Sequence, residues 1–279
     1  VGIVSYDGDL DAYELGPEAA FALANESSPV WLAGGLDTFR AMFIDLEDVV
    51  DAVQGDGGLG WGDHHECLFT GTAEFFRPAY EHHLVQEWIP ALSGGTERVG
   101  GGITVADVGC GGGVSTSRLA GAFPASTFVG FDYHSPSVEA AAARSVKLSL
   151  ANTDFRVAGA KDFSGAFDLI CFFDCLHDMG DPVGIAKHAK TQLNPGGSVM
   201  LVEPFAFDSR EENHAGLGGL MYGASTFFCA PCSLSQEVGR GMGAQSGEPG
   251  MRAVFEEAGY TDFRRIGETP FNIVYEATP

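Results

Sequence analysis

From residue 103 onward, strand-like and helix-like runs alternate, and this alternation constrains the chain more than any other feature. "ITVADVG" leads to "STSRLAGAF", and "STFVGFD" to "SVEAAAARSVKLSL". "DFRVAGA" and "FDLICFFDCL" come next, then "PVGIAKHAKTQL" and "GSVMLVEPF". Strands separated by helices of this length predict a parallel, doubly wound α/β sheet of the Rossmann-like kind. The strand runs are apolar on both faces, as a sheet covered by helices requires. After residue 250, "MRAVFEEAGY" predicts a helix, and "DFRRIGE" and "FNIVYEA" pair around Thr269-Pro270. Residues 207–250 interrupt the pattern with a polar and aromatic insertion.

The N-terminal third reads differently. Residues 1–15 predict a hairpin turning at Asp7-Gly8-Asp9, with Tyr13 and Leu15 on the returning strand. Helical periodicity follows from 17 to about 92. Leu36, Phe39, Phe43, Leu46, Val50 and Val53 form one apolar stripe, and Tyr80, Leu84, Trp88 and Leu92 another. "SGGTERVGGG" at 93–102 reads as a linker, which predicts two domains, 1–95 and 96–279. The chain opens at Val1 inside the hairpin, so an upstream segment of the natural protein is expected.

"VADVGCGGGVSTSRL" places glycines at 109, 111, 112 and 113 between the first strand of the alternation and its helix. Ligands of such sheets bind at the carboxyl ends of the strands, where the strand order reverses. A triphosphate-binding loop is excluded, because no Gly-Lys-Ser/Thr follows. A dinucleotide fingerprint would need glycine at 114, where valine stands. Asp107, ending the strand, would repel a pyrophosphate and favour a cation such as the α-ammonium group of an amino acid.

Asp107-Val-Gly109-Cys110-Gly111-Gly-Gly113 resembles the first motif of class I S-adenosylmethionine (SAM) methyltransferases. The resemblance covers about residues 100–206 and 251–279, and implies a seven-stranded sheet with its last strand antiparallel. It implies that Asp132, ending the second strand beside Tyr133, holds the ribose hydroxyls. It also implies that Asp162, beside Lys161, lies near the adenine amino group, and that Phe173 and Asp174 border the cofactor. "LFTGTAEFFRPAYEHHLVQEWIPAL" and the hairpin resemble bacterial, mycobacterial-type relatives with an N-terminal winged-helix domain, the hairpin being the wing. In that group such a domain serves dimerisation and the substrate pocket. Gly112 departs from that group, in which histidine is expected.

"CLHDMGDP" at 175–182 resembles the His-Asp-Trp-x-Asp segment of plant-type small-molecule O-methyltransferases, with Met179 replacing the tryptophan. The resemblance makes His177 a general base, with Asp178 beside it and Glu203 orienting it. The alternative is that His177 caps or packs a helix start. His64, His65 and Cys67 form a compact cluster that nothing in the sequence completes as a metal site. They are expected to line or rim the substrate cavity, and no metal is expected. Met221, Tyr222, Phe227 and Phe228 of the insertion either cover an apolar substrate as a lid or pack an extra helix.

Charge narrows the partners. Lys+Arg is 15 against Asp+Glu 38, a net charge of −23, which lacks the basic footprint that nucleic acid needs. Such acidity fits a salt-adapted surface or simply a very soluble one. No apolar run approaches the about 20 residues of a membrane span, so no membrane is expected. The six cysteines suit reduced thiols of the cytoplasm better than a disulfide scaffold, and Cys229-Ala-Pro-Cys232 lacks a second pair at zinc-finger spacing. Trp31, Phe39, Phe43, Phe75, Phe76 and Trp88 offer more apolar surface than a small unit buries, which predicts a homodimer.

The resulting expectation is a SAM-dependent methyltransferase, yielding S-adenosylhomocysteine, acting on a small aromatic or apolar acceptor, with oxygen the favoured atom. Carbon or nitrogen methylation, a SAM-bound enzyme that transfers no methyl, and a SAM-sensing winged-helix regulator are the alternatives.

Overall fold

The computed structural model describes residues 2–55, 57–214 and 218–279. Residue 1 of the expected hairpin, residue 56 of the glycine-rich loop before Trp61, and residues 215–217 of the expected lid lie outside this description.

The hairpin forms as expected. β1 (Val4–Asp7) and β2 (Ala12–Leu15) pair antiparallel with Tyr6 opposite Tyr13, in a two-stranded sheet of their own. The main sheet has seven strands: β3 (Thr104–Val108), β4 (Thr127–Asp132), β5 (Thr153–Val157), β6 (Phe167–Phe173), β7 (Leu193–Pro204), β8 (Asp262–Glu268) and β9 (Asn272–Thr278). Their order is β5-β4-β3-β6-β7-β9-β8. All neighbours are parallel except at β9, which runs antiparallel to both β7 and β8. The strand order therefore reverses between β3 and β6, and the loops leaving these two strands share one crevice.

Local chemistry sets the helices between the strands. Helix Ser135–Lys147 carries a proline in its first turn, where a missing amide costs nothing. Helix Pro182–Gln192 also opens on proline, and the Asp181 carboxylate caps it by accepting from the Gly184 amide at 2.9 Å. One face of the sheet packs Phe131, Phe163, Phe172 and Tyr275 against helices 182–192 and 247–257. The other face packs Phe128, Leu169, Met200 and Val274 against Tyr80, Leu84, Trp88 and Leu92. The second apolar stripe read from the sequence is thus core, with Leu84 wholly buried.

The helix that carries this stripe starts at Cys67–Ala79 and winds as a π-helix over Tyr80–Trp88, just beyond Pro78. The expected linker at 93–102 is instead ordered structure. It holds a short helix, Gly95–Gly100, with Val99 buried and Arg98 donating to Ser198 Oγ and to the Asp168 carbonyl. A half-buried guanidinium bridging β6 and β7 outweighs the glycine content of the stretch.

The first stripe has the opposite fate. It spans helices Leu36–Ile44 and Leu46–Gln54, and Leu36, Phe43, Leu46, Val50 and Val53 are all exposed, Phe43 at 82%. In the insertion, helix Cys229–Leu234 sits against the loop after β6, and helix Gly218–Phe227 packs on it. No helix among the described residues is long and apolar enough to cross a membrane.

Candidate active site

A cavity of about 610 Å³ opens where β3 and β6 end, a size suited to a small-molecule ligand. Its floor is the glycine loop. Gly109, Gly111 and Gly113 all have positive φ, which an L side chain adopts at a cost. They do different work. A Cβ on Gly113 would stand 2.8 Å from Ala141 Cβ, and one on Gly109 2.8 Å from Cys175 Sγ, so both are packed against protein. Beside Gly111 and Gly112 there is only open space, so a ligand can reach the backbone there. Glycine at 112 extends that opening, where histidine was expected.

Asp107 does not line this cavity. It is 1% exposed, and its Oδ2 accepts from Ser115 Oγ at 2.7 Å and Thr116 Oγ1 at 2.6 Å. Its Oδ1 is buried without a partner. Burial pushes its carboxyl up to about 6, against the pull of the two hydroxyl bonds. Asp107 is thus held by the helix that follows the loop through Oδ2 alone.

Asp132, Tyr133, Lys161, Asp162, Phe173 and Asp174 do line the cavity, together with Cys110. The Asp132 carboxylate accepts the Gly111 amide and the His134 amide, each at 2.9 Å, and so ties the loop to the end of β4. The Lys161 ammonium is committed to Asp181 at 3.1 Å and Glu237 at 2.9 Å. Asp174 has a positive φ of 52° and is buried, with Tyr80 and Asn272 donating to its two oxygens.

At the end of β6 stands His177, 3% exposed. Glu203, at the end of the adjacent β7, accepts from its Nδ1, since an ionised carboxylate can only accept. Nε2 lies 2.9 Å from Asp178 Oδ1, yet this oxygen receives no aligned hydrogen bond. Burial alone would lower the basicity of His177, but the charges of Asp178 and Glu203 outweigh it and hold the imidazolium well above the ordinary histidine range. His177 and Asp178 line the cavity, whereas Glu203 stands behind them.

The expected substrate-lining set divides. Met221 and Phe228 line the cavity, but Tyr222 lines a separate cavity of about 800 Å³ and Phe227 lines neither. His64 and His65 are corrected as well. His64 Nδ1 donates to Asp45 Oδ2 at 2.9 Å, at the junction of helices 36–44 and 46–54, and His65 Nδ1 meets Cys67 Sγ at 3.1 Å at the start of the long helix. In their place the N-terminal helices supply Phe39, Met42, Trp61, Phe69, Phe75 and Phe76. Cys229 of the C-x-x-C pair also reaches the site: its thiol, with His177 and Asp178, offers a ligand atom in a group spanning at most 4.8 Å. Burial pushes this thiol up to about 11. Sequence signalled Cys229 only through its motif, and nothing local pointed it at His177.

A Rossmann-like sheet with an open glycine loop and acidic strand ends defines a nucleoside-cofactor domain. Residues 100–228 match the family described as a methyltransferase domain. A 145-residue stretch is 27% identical to the ubiquinone biosynthesis O-methyltransferase of Acinetobacter baylyi, covering 50% of this chain and 55% of that protein. The chain thus spans about half the length of the curated relatives it matches. An O-methyltransferase family protein from Burkholderia thailandensis superposes with a TM-score of 0.70 at 14% identity, over 99% of this chain and 80% of that one. Human N-acetylserotonin methyltransferase, solved in complex with SAM, gives 0.64 at 18% identity, over 99% and 78%. At these identities the structural likeness establishes the fold.

Proposed function

We propose that this chain methylates an oxygen of a small aromatic or apolar metabolite, with SAM as donor and His177 as general base. The observation that carries this reading is the Glu203–His177–Asp178 array beside the glycine loop in one cavity. The residues present fit SAM: Gly111 and Gly112 leave room for a ligand against the backbone, and Asp132, Asp162 and Phe173 line the same space. These would hold the methionine, ribose and adenine parts. When bound, this cofactor supplies a methyl group carried on a sulfonium.

The chain's own part is to orient the acceptor, exclude water and take a proton. Phe39, Trp61, Phe69 and Phe75 form an apolar wall, and Met221 and Phe228 act as a lid over it. With Nδ1 occupied by Glu203, Nε2 is the atom that accepts the acceptor's proton. Because Asp178 and Glu203 raise the His177 pKa, the neutral, competent form grows as pH climbs beyond the ordinary histidine range. A cation in the cleft pulls in the other direction.

Assembly belongs to the same reading. The exposed face of helices 36–44 and 46–54 is covered by a second copy, and the β1–β2 hairpin acts as the wing of a winged-helix unit. The free thiols among the described residues accord with a cytoplasmic setting.

Calorimetric titration with S-adenosylhomocysteine and with NAD tests the cofactor: heat with the first alone is expected, and the reverse overturns the reading. Methyl-labelled SAM with a panel of phenols, followed by product mass and fragmentation, tests the acceptor. Label on nitrogen or carbon removes the oxygen assignment. Cofactor binding with duplex-DNA binding and no transfer would identify a regulator instead.

A further inference from the structure

We propose that His177 Nε2, Asp178 Oδ1 and Cys229 Sγ form a binding site for a soft divalent cation, with Zn²⁺ as the fitting ion. The three ligand atoms come from the loop after β6 and from helix Cys229–Leu234, and they converge within 4.8 Å of one another. Three features of the geometry favour an ion over a set of hydrogen bonds.

First, His177 Nε2 and Asp178 Oδ1 approach to 2.9 Å, yet Oδ1 is buried and receives no hydrogen bond. Two donor atoms that approach without an aligned proton between them suit a shared cation on their common side. Second, Glu203 holds Nδ1 and so fixes the ring with Nε2 toward Asp178. A carboxylate behind the distal nitrogen is the arrangement that orients and strengthens histidine ligands of zinc. Third, the donor set is imidazole, thiol and carboxylate. This mix suits zinc, whereas Mg²⁺ and Ca²⁺ prefer oxygen alone.

Charge supports the same conclusion. With the Cys229 thiol deprotonated, its proton passing to solvent, the thiolate and the Asp178 carboxylate together offset the two charges of the ion. All three residues line the cavity, so a fourth position on that side is open to a small molecule. The site stands on geometry and does not depend on His177 being the methyl-transfer base. If His177 is that base, an occupied site takes its Nε2 out of service and turnover falls.

Co²⁺ added to the purified chain serves as a spectroscopic probe, with Zn²⁺ measured by competition against a chromophoric chelator. One equivalent is expected, with a thiolate-to-cobalt charge-transfer band. Cys229→Ser should abolish the band, whereas Cys67→Ser should keep it, although Cys67 pairs with His65 at 3.1 Å. Glu203→Gln should weaken Zn²⁺ affinity by roughly 10–100-fold with the band retained. Circular dichroism checks that each variant is folded. If Cys229→Ser does not fold, Asp178→Asn, with weakened affinity and its band kept, carries the test. The site is refuted if no thiolate band forms, if the band follows Cys67, or if affinity is indifferent to Asp178 and Glu203.

Discussion

The Tyr80 hydroxyl donates to Asp174 Oδ2 at 2.9 Å, across 94 residues of sequence. This bond ties the π-helical turn of the N-terminal region to the end of β6, where the cavity begins. Asp174 is buried, so losing one of its two donors leaves a carboxyl oxygen unsatisfied. Tyr80→Phe should cost about 1–3 kcal/mol of stability, read from the denaturant midpoint at unchanged slope.

Asp174 itself should make stability depend on pH. Burial, and then the Glu203 charge, hold its folded-state pKa well above the ordinary carboxylate value. The folded state therefore keeps a proton that the unfolded chain has released. Its contribution is fully present below the unfolded pKa and declines as pH rises through the folded one. Asp174→Asn removes this loss. The Asn272 amide can turn to meet the new side chain, since its Oδ1 is buried without a partner. Thermal melts at pH 5 and pH 8 should show the variant gaining relative to wild type toward pH 8. A constant difference would contradict the assignment.

His177→Asn should lower turnover by roughly 10²–10⁴ while S-adenosylhomocysteine affinity stays nearly unchanged. The wild-type rate should rise with pH past about 6.5, the value of a free histidine, because Asp178 and Glu203 favour its protonated form. Loss of this limb in the variant links it to His177. Wild-type turnover in the variant would remove the base assignment.

Asp132→Ala should weaken S-adenosylhomocysteine binding by about 1.5–3 kcal/mol in calorimetry, the value of hydrogen bonds to a charged group. The carboxylate also anchors the Gly111 and His134 amides, so the loop loosens in the same variant. Asp132→Asn should fall between the two, because its single carbonyl oxygen can keep one amide.

Phe43→Glu combined with Val53→Glu should shift sedimentation from dimer to monomer at moderate salt. These side chains are 82% and 69% exposed, so the pair should leave the melting temperature of the subunit nearly unchanged. A wild-type chain that sediments as a monomer at all concentrations would remove this interface.

The strands and helices from Thr104 to Thr278 were legible because their signal is local. A seven-residue apolar run such as Phe167–Phe173 is the length of a covered strand, and Pro182 preceded by Asp181 suits a helix start. The crevice at the glycine loop was legible for the same reason, as was Asp132 at the end of β4. Helical periodicity found both apolar stripes. It could not say that Leu84 is buried while Phe43 faces outward, because a stripe records only that a face is apolar and not what covers it.

What the sequence determined by itself is the order of elements, the glycine loop between β3 and its helix, and the placing of His177 and Glu203 at the ends of two strands. The tertiary structure alone decided which of these side chains meet. Asp107 turned to Ser115 and Thr116 on the next helix, His64 to Asp45, and Cys229 to His177, each through a contact with another element of the fold. Backbone periodicity follows from neighbouring residues, whereas the direction of a polar side chain at a strand end follows from whichever distant donor or acceptor packing brings within about 3 Å.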